Sequence, residues 1–432
     1  MMISILSSIL VWGAIALILL RLVNDSGITI LSKNKAMSFL LADKRRGLSD
    51  AVNIKTVLLV CAGALVFRIA VFAISATGVA MFENSDITFP SFLKHYVQWD
   101  ANNYQRIADG GYGGHIAENG DFLTLVFFPL YPWIAKAMNL IFRDTYVSLL
   151  VTSFLCYSVG CGFLYKLCAR DFGKDTAMKA VVLISVFPHS LFFGTMMNES
   201  MLFMNSVITL YFIREHKWHL AGLFGALASL SRMVGILLVV PAAVEWLEHY
   251  KILGKLKNKN IKEVWKLFYS KGLWIAVMLL GTGIYLLCNY KFTGEWLKFL
   301  EYQERYWSNG ACYFGSGIAK IAENAFSAGT FIRAAIWIPE IVSIAFVIAM
   351  LLYGIRRSRN MYTAFLAIYI IINTGFEWPI SIARYMVCAI PAFIFLADFT
   401  DRHKWTYSFI TALMAVGMGI YLTAYLFAKQ IL

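Results

Sequence analysis

The longest apolar runs leave this chain little choice of fold. Residues 54–80 read IKTVLLVCAGALVFRIAVFAISATGVA, and Lys55 and Arg68 are the only charges in them. Roughly 20 apolar residues suffice to cross a bilayer as a helix, which satisfies its own backbone hydrogen bonds in lipid. Further spans are expected near 3–22, 146–168, 177–197, 199–213, 272–290, 331–353, 361–374, 382–398 and 405–428. The stretch 218–248 is too long for one span, yet its flanks "REHK" and "EHYKILGKLKNKNIK" both suit the cytoplasm. Two short helices turning near Ser231-Arg232 resolve that conflict, which brings the count to about 12 with both termini outside. Composition agrees: 59% of the 432 residues are hydrophobic and 15% charged, too little charge for a soluble surface. The first run lacks a basic n-region and a clear cleavage site, so it reads as a retained helix. The fold class is an all-α polytopic membrane protein, with residues 1–432 forming one integral-membrane domain.

The formal charge of +13 is concentrated in short loops. Lys33, Lys35, Lys44, Arg45 and Arg46 form one group, Lys251 to Lys271 a second, and Arg356, Arg357 and Arg359 a third. That is the pattern of cytoplasmic loops and argues against a nucleic-acid patch. Six of the seven cysteines lie in apolar segments without metal spacing, and only Cys312 falls in a polar loop, so no disulfide framework is expected. Two long loops then face outward, 83–145 and 291–330. Within the first, "LVFFPLYPWIAKAMNLIF" is broken by Pro129 and Pro132 and carries Lys136. It reads as a helix lying in the interface or re-entering the membrane.

The first outer loop also holds "QWDANNYQRIADGGYGG", residues 98–114, dense in hydrogen-bonding groups. Asp100 begins a short helix there, ended by Gly110 and Gly111. Tyr104, Ile107, Ala108 and Tyr112 share one face that can rest on lipid, and Asn103 lies a turn from Asp100. Asp100 either caps this helix, as Asp commonly does, or serves as a functional carboxylate, and the roles are compatible. If it only caps, the base is to be sought at Glu199, Glu83 or Asp86. Arg68, His189, Glu199, Arg232, Glu340, Glu377 and Arg384 lie in or at the ends of apolar spans, where charge is costly and tends to face a polar cavity. Five of them, His189, Glu199, Arg232, Glu377 and Arg384, gather toward the outer ends, on the side of Asp100. They either pair to hold helices together or share a site. A carboxylate there can take a proton from an alcohol while arginine forks hold a lipid phosphate, which leaves with little need of protonation. No Gly-rich nucleotide turn or Asp-x-Asp motif is present.

The series "WDANNYQRIADGGY", "FFPLYP", "FPHSLFFGTMMNESMLF", "LAGLFGALASLSRMVGILL", "FTGEWLKFLEYQERYW" and "ARYMVCAIPAFIFLA" runs in order from about residue 95 to 398. It resembles the PIG-V-like mannosyltransferases of the GT-C class of membrane glycosyltransferases. The resemblance implies a GT-C-type helical bundle, a lumenal or extracellular site and a dolichyl- or polyprenyl-phosphate-mannose donor. GT-C enzymes commonly carry their catalytic acid residue in the first large outer loop, a position that Asp100 matches. Glu199 falls where the family shows a Ser-Glu-Ser-like element, although this chain reads Asn198-Glu199-Ser200. Arg232 and Arg384 match basic positions near "SR" and "ARY". Eukaryotic members act in GPI-anchor biosynthesis, but nothing in this sequence requires that acceptor. The segment before residue 50 departs from the family as an extra span.

The expectation is an inverting, metal-independent glycosyltransferase with no cofactor beyond its lipid donor. It moves a hexose, mannose favoured, to a hydroxyl of a lipid or glycan acceptor on the non-cytoplasmic side. Such a multi-pass protein sits in the cell membrane of a prokaryote or the ER membrane of a eukaryote. Asp100 acts as general base, Arg232 and Arg384 hold the donor phosphate, and His189 and Glu199 support them. Trp99, Asn103 and Tyr104 complete the substrate-binding set. The rival reading is a lipid-linked sugar transporter or flippase, which should show pseudo-repeated halves and broken helices in matching positions. Neither is legible in the sequence.

Overall fold

The computed structural model describes residues 1–28, 52–83, 87–378 and 380–429. The basic residues between 33 and 46 and Asp86 lie outside the described residues. Among the described residues the protein is all-helical, with only an isolated bridge between Ala311 and Phe376. Five helices are long and apolar enough to cross a membrane: Met2–Asp25, Ile54–Glu83, Thr145–Phe172, Thr330–Gly354 and Lys404–Leu426. Two bent pairs raise this to seven, Lys174–Val186 with Pro188–Gly194 at 84° and Ile261–Val277 with Leu280–Thr293 at 44°. The chain is therefore a polytopic membrane protein. The 12 spans expected from the sequence would further require Glu199–Arg214, Trp218–Ser231, Val239–His249, Asn360–Thr374 and Ile390–Arg402 to serve as short or broken spans.

Thr145–Phe172 is the central helix. The Asp144 carboxylate accepts from Val147 N–H at 2.9 Å and caps its start. Its small residues admit close neighbours: a Cβ on Gly162 would stand 2.3 Å from Cys61 Sγ. Ile54–Glu83, Lys174–Val186 and Glu199–Arg214 pack around it. Met2–Asp25, Ile54–Glu83 and Lys404–Leu426 instead leave most of their apolar surface open, as helices facing lipid do.

The helices break where chemistry-bearing residues cluster. Pro188 ends Lys174–Val186, and the chain turns through 3-10 geometry to Gly194 before Glu199 starts the next helix. Trp218–Ser231 stops at Arg232, whose backbone is extended, and Met233–Leu238 folds back as a 3-10 turn. Gly235 permits this return, since a Cβ there would meet Ala228 O at 2.1 Å. The turn expected at Ser231-Arg232 is present. The run 382–398, expected as one span, is two helices, Ile382–Met386 and Ile390–Arg402.

The loop helix Ala101–Gly110 starts and ends where expected. Its apolar face is corrected by the structure: Tyr104, Ile107 and Ala108 are buried in protein and do not face lipid. Tyr104 meets Phe127 and Tyr131 edge-on at 5.4 and 5.2 Å. The stretch after Pro129 forms Leu130–Phe142, a helix of 13 residues, shorter than a span needs. Its Tyr131 hydroxyl donates to Leu149 O at 2.9 Å, while Leu140 and Ile141 are exposed.

Candidate active site

Trp99 adopts φ 46°, a left-handed conformation that costs a non-glycine residue on the order of 1–3 kcal/mol. It places Asp100 at the N-cap of Ala101–Gly110, yet the Asp100 side chain makes no capping hydrogen bond. Instead, Asp100 Oδ2 accepts from Arg384 Nη1 at 2.9 Å. Arg384 Nε donates to Glu199 Oε1 at 2.6 Å, and Arg232 Nη1 donates to the same oxygen at 2.7 Å. Four charges thus alternate across three broken segments and the first loop, in the order Asp100, Arg384, Glu199, Arg232. Aromatic faces back the cations: Arg384 lies 4.8 Å from the Phe192 ring and Arg232 4.2 Å from Tyr385.

Accessibility separates the two acids. The Glu199 side chain is 0% exposed and that of Asp100 28%. Glu199 therefore serves as the buried anion that holds both arginines, and Asp100 is the carboxylate a substrate can reach. Glu199 Oε2 is buried and has no hydrogen-bond partner among the described residues.

Asp100, Arg384 and Tyr385 form the shared wall of a two-lobed cleft. A lobe of about 410 Å³ lies toward Trp99, Asn103 and Trp378, and Trp307 lines both lobes. A second, of about 160 Å³, reaches Tyr104, Asn198, Arg232 and Gln303. The "FFPLYP" stretch forms part of the smaller lobe through Phe127 and Phe128. Tyr112 donates to Phe127 O at 2.6 Å within this stretch, and Tyr285 donates to Leu125 O at 2.6 Å two residues before it.

Of the residues expected at the site, Trp99, Asp100, Asn103, Tyr104, Arg232 and Arg384 line the cleft, and Glu199 stands directly behind the arginines. His189 does not join them. It is buried in Pro188–Gly194, its ring 4.7 Å from that of Tyr421, and it lines neither lobe. Aromatic packing consumes this histidine. Arg68 also stands apart, its guanidinium 4.2 Å from the Tyr157 ring. Glu377 is exposed beside Gly310, although its neighbours Phe376 and Trp378 line the cleft.

Sequence reasoning missed Trp307, Asn309, Asn373 and Tyr385. Trp307 closes the quoted "FTGEWLKFLEYQERYW", and its helix, Lys298–Trp307, is clasped to the first loop. Asn119 Nδ2 donates to Tyr306 Oη at 2.6 Å, and the Tyr306 hydroxyl donates to Asp121. Phe122 N–H donates to Tyr302 Oη at 3.4 Å. The Tyr306 hydroxyl, aided by other hydrogen bonds and Arg305, holds the Asp121 carboxyl below the usual carboxylate range.

A family model described as dolichyl-phosphate-mannose-protein mannosyltransferase matches residues 128–285, less than half of the chain. That span includes Glu199 and Arg232 and excludes Asp100 and Arg384. No curated protein matches the chain. Among solved structures it is similar to ArnT from Cupriavidus metallidurans in the apo state, with a TM-score of 0.48 and 16% identity. The same protein bound to undecaprenyl phosphate gives a TM-score of 0.47 and 16% identity. Both comparisons cover 82% of this chain but only 62% and 63% of the ArnT chains, so this chain spans less than two thirds of their length.

Proposed function

We propose that this protein is a GT-C glycosyltransferase that uses a polyprenyl-phosphate-linked sugar. It transfers a hexose, mannose favoured, to a hydroxyl of a lipid or glycan acceptor on the non-cytoplasmic face. The observation that carries this reading is the accessible Asp100 beside two arginines anchored by one buried glutamate, at the junction of two lobes. The matched family model, whose description names a lipid-phosphate-mannose donor, supports the substrate class. The PIG-V-like motifs support the finer assignment to mannose.

In this mechanism the donor phosphate draws Arg384 away from Asp100 and lies between Arg384 and Arg232. Asp100, released from its ion pair, accepts the proton of the acceptor hydroxyl. The acceptor oxygen forms a bond to the anomeric carbon on the face opposite the phosphate, so configuration inverts. The bond from that carbon to the phosphate oxygen breaks, and its electron pair leaves with the lipid phosphate. Negative charge grows on the phosphate as the bond opens, and the two guanidinium groups, both anchored on Glu199, stabilise that change. The proton then passes from Asp100 to water. This reading gives a metal no role.

Broken helices also mark transporters. Here the breaks before Glu199, at Arg232 and around Arg384 all adjoin one cleft, as they would in either class, and the matched mannosyltransferase model is what favours transfer over transport. The test is transfer in detergent, where transport has no meaning. Purified protein with radiolabelled polyprenyl-phosphate-mannose and a panel of lipid and glycan acceptors should release polyprenyl phosphate and label a product. Labelling from GDP-mannose, with carrier-lipid synthesis excluded, would overturn the reading.

A further inference from the structure

Glu340 is buried, 2% exposed, in the first turn of Ile338–Gly354, and lines neither lobe of the cleft. A carboxylate enclosed in a membrane protein normally pairs with a cation. This one is met by backbone instead. Ala383 N–H donates to Glu340 Oε2 at 2.6 Å, and the backbone of Ser381 and Ile382 lies beside the same carboxyl group. These three residues immediately precede Arg384.

The segment they belong to has little intrinsic rigidity. Ser381 takes φ 71°, and Ile382–Met386 has only five residues, so most of its amide groups lack helical partners. Its far side is fixed by the Tyr369 hydroxyl, which donates to Tyr385 O at 2.9 Å. Glu340 therefore clamps one end of the short turn and Tyr369 the other. Between them stand Arg384, which reaches both Asp100 and Glu199, and Tyr385, which backs Arg232.

We propose that Glu340 is a positioning residue. Its carboxyl oxygen holds the backbone at Ala383 and so aims the Arg384 guanidinium at Asp100 and the donor phosphate. The proposal rests on the reading of the cleft as a lipid-phosphate site.

Glu340→Gln and Glu340→Ala test it, with undecaprenyl phosphate as the binding probe and radiolabelled polyprenyl-phosphate-mannose for turnover. Gln keeps the size and one acceptor oxygen but turns an amide toward the N–H donors, so it carries the test if the Ala variant does not fold. Affinity for undecaprenyl phosphate should fall about tenfold in either folded variant, what one displaced charge-assisted hydrogen bond is worth. Combining Glu340→Gln with Arg384→Lys should weaken binding no further than Arg384→Lys alone, since both act through one guanidinium. A purely structural glutamate would give losses that multiply. Wild-type affinity in Glu340→Gln, or fully multiplicative losses, overturns the proposal and leaves the cleft reading intact. Wild-type protein that neither binds undecaprenyl phosphate nor consumes the donor overturns the cleft reading and this proposal together.

Discussion

The protein buries two charge networks, one at each end of its central helix. Thr145 Oγ1, at the start of that helix, donates to Asp109 in the loop helix that Asp100 begins, at 2.5 Å. Asp171 near its other end accepts from Arg214 Nε at 3.0 Å and Nη2 at 2.8 Å, and from the Tyr362 hydroxyl at 2.8 Å. Glu245 beside it takes both prongs of Arg359, at 2.8 and 3.0 Å, and His216 Nε2 at 2.9 Å. Glu199 of one network and Arg214 of the other bound a single helix of 16 residues, about 24 Å long. The residue types are alike, but the far network is closed by bidentate pairs. At the cleft, one Glu199 oxygen has no hydrogen-bond partner among the described residues and Asp100 is reachable. Buried charge alone does not mark function. Incomplete pairing at an open cavity is what supports the proposed site.

The comparison predicts its own largest contrast. Asp100→Asn should lower turnover at least about 100-fold, the usual scale for losing a general base, with melting falling less than in Asp171→Asn because no capping bond is lost, the site is 28% exposed and the amide oxygen can still accept from Arg384. Asp171→Asn should do the reverse, leaving turnover per folded molecule near wild type while lowering stability by about 3–5 kcal/mol. Steady-state transfer and thermal melting of both variants check this. Asp100 and Asp171 variants with the same profile would erase the distinction.

Arginine substitutions sharpen it. Arg384→Lys or Arg232→Lys keeps charge but loses the planar fork, and should weaken kcat/KM by about 10-fold or more. Arg359→Lys should shift melting alone. Kinetics and melting on the three proteins read this, and full activity in both cleft variants would reduce those arginines to packing elements.

Sidedness comes next. Native Cys312 should react with a membrane-impermeant maleimide on intact cells, and a cysteine introduced at Asn258 should not. Labelling at residue 258 would invert the two ends.

The smallest effect is expected at the loop clasp. The Asp121 carboxyl is lowered in the folded state, so its contribution is present above its unfolded value of 3.8 and is lost as pH falls through the folded value. Hydrogen exchange in Lys298–Trp307 should therefore rise, relative to the rest of the protein, only below about pH 4. Tyr306→Phe should move that onset to higher pH, and an onset unmoved by Tyr306→Phe would remove the clasp from the account.

Much of this was legible in the sequence because lipid imposes simple rules. Apolar runs marked the long helices, and incompatible flanks located the turn at Arg232. The rarity of charge within apolar runs picked out Glu199, Arg232 and Arg384. The break at Pro188 carried its signal in the proline, which the span 177–197 ran through, whereas the break after Met386 was hidden, since apolar continuity reads the same through a turn as through a helix. His189 misled for a related reason: a histidine in an apolar run looks polar by type, but its ring packs as an aromatic. Trp307 was out of reach, because the clasp joins loops far apart in sequence through Asn119, Asp121 and Tyr306, which have no spacing to reveal it.

In the proposed mechanism Asp100 accepts a proton in the chemical step and does not merely support fold or binding. Single-turnover transfer from prebound radiolabelled polyprenyl-phosphate-mannose, followed in wild type and Asp100→Asn with donor affinity measured alongside, tests it most directly. The account predicts donor affinity within a few-fold of wild type and sugar transfer at least about 100-fold slower. Transfer at the wild-type rate with the carboxylate gone would contradict it.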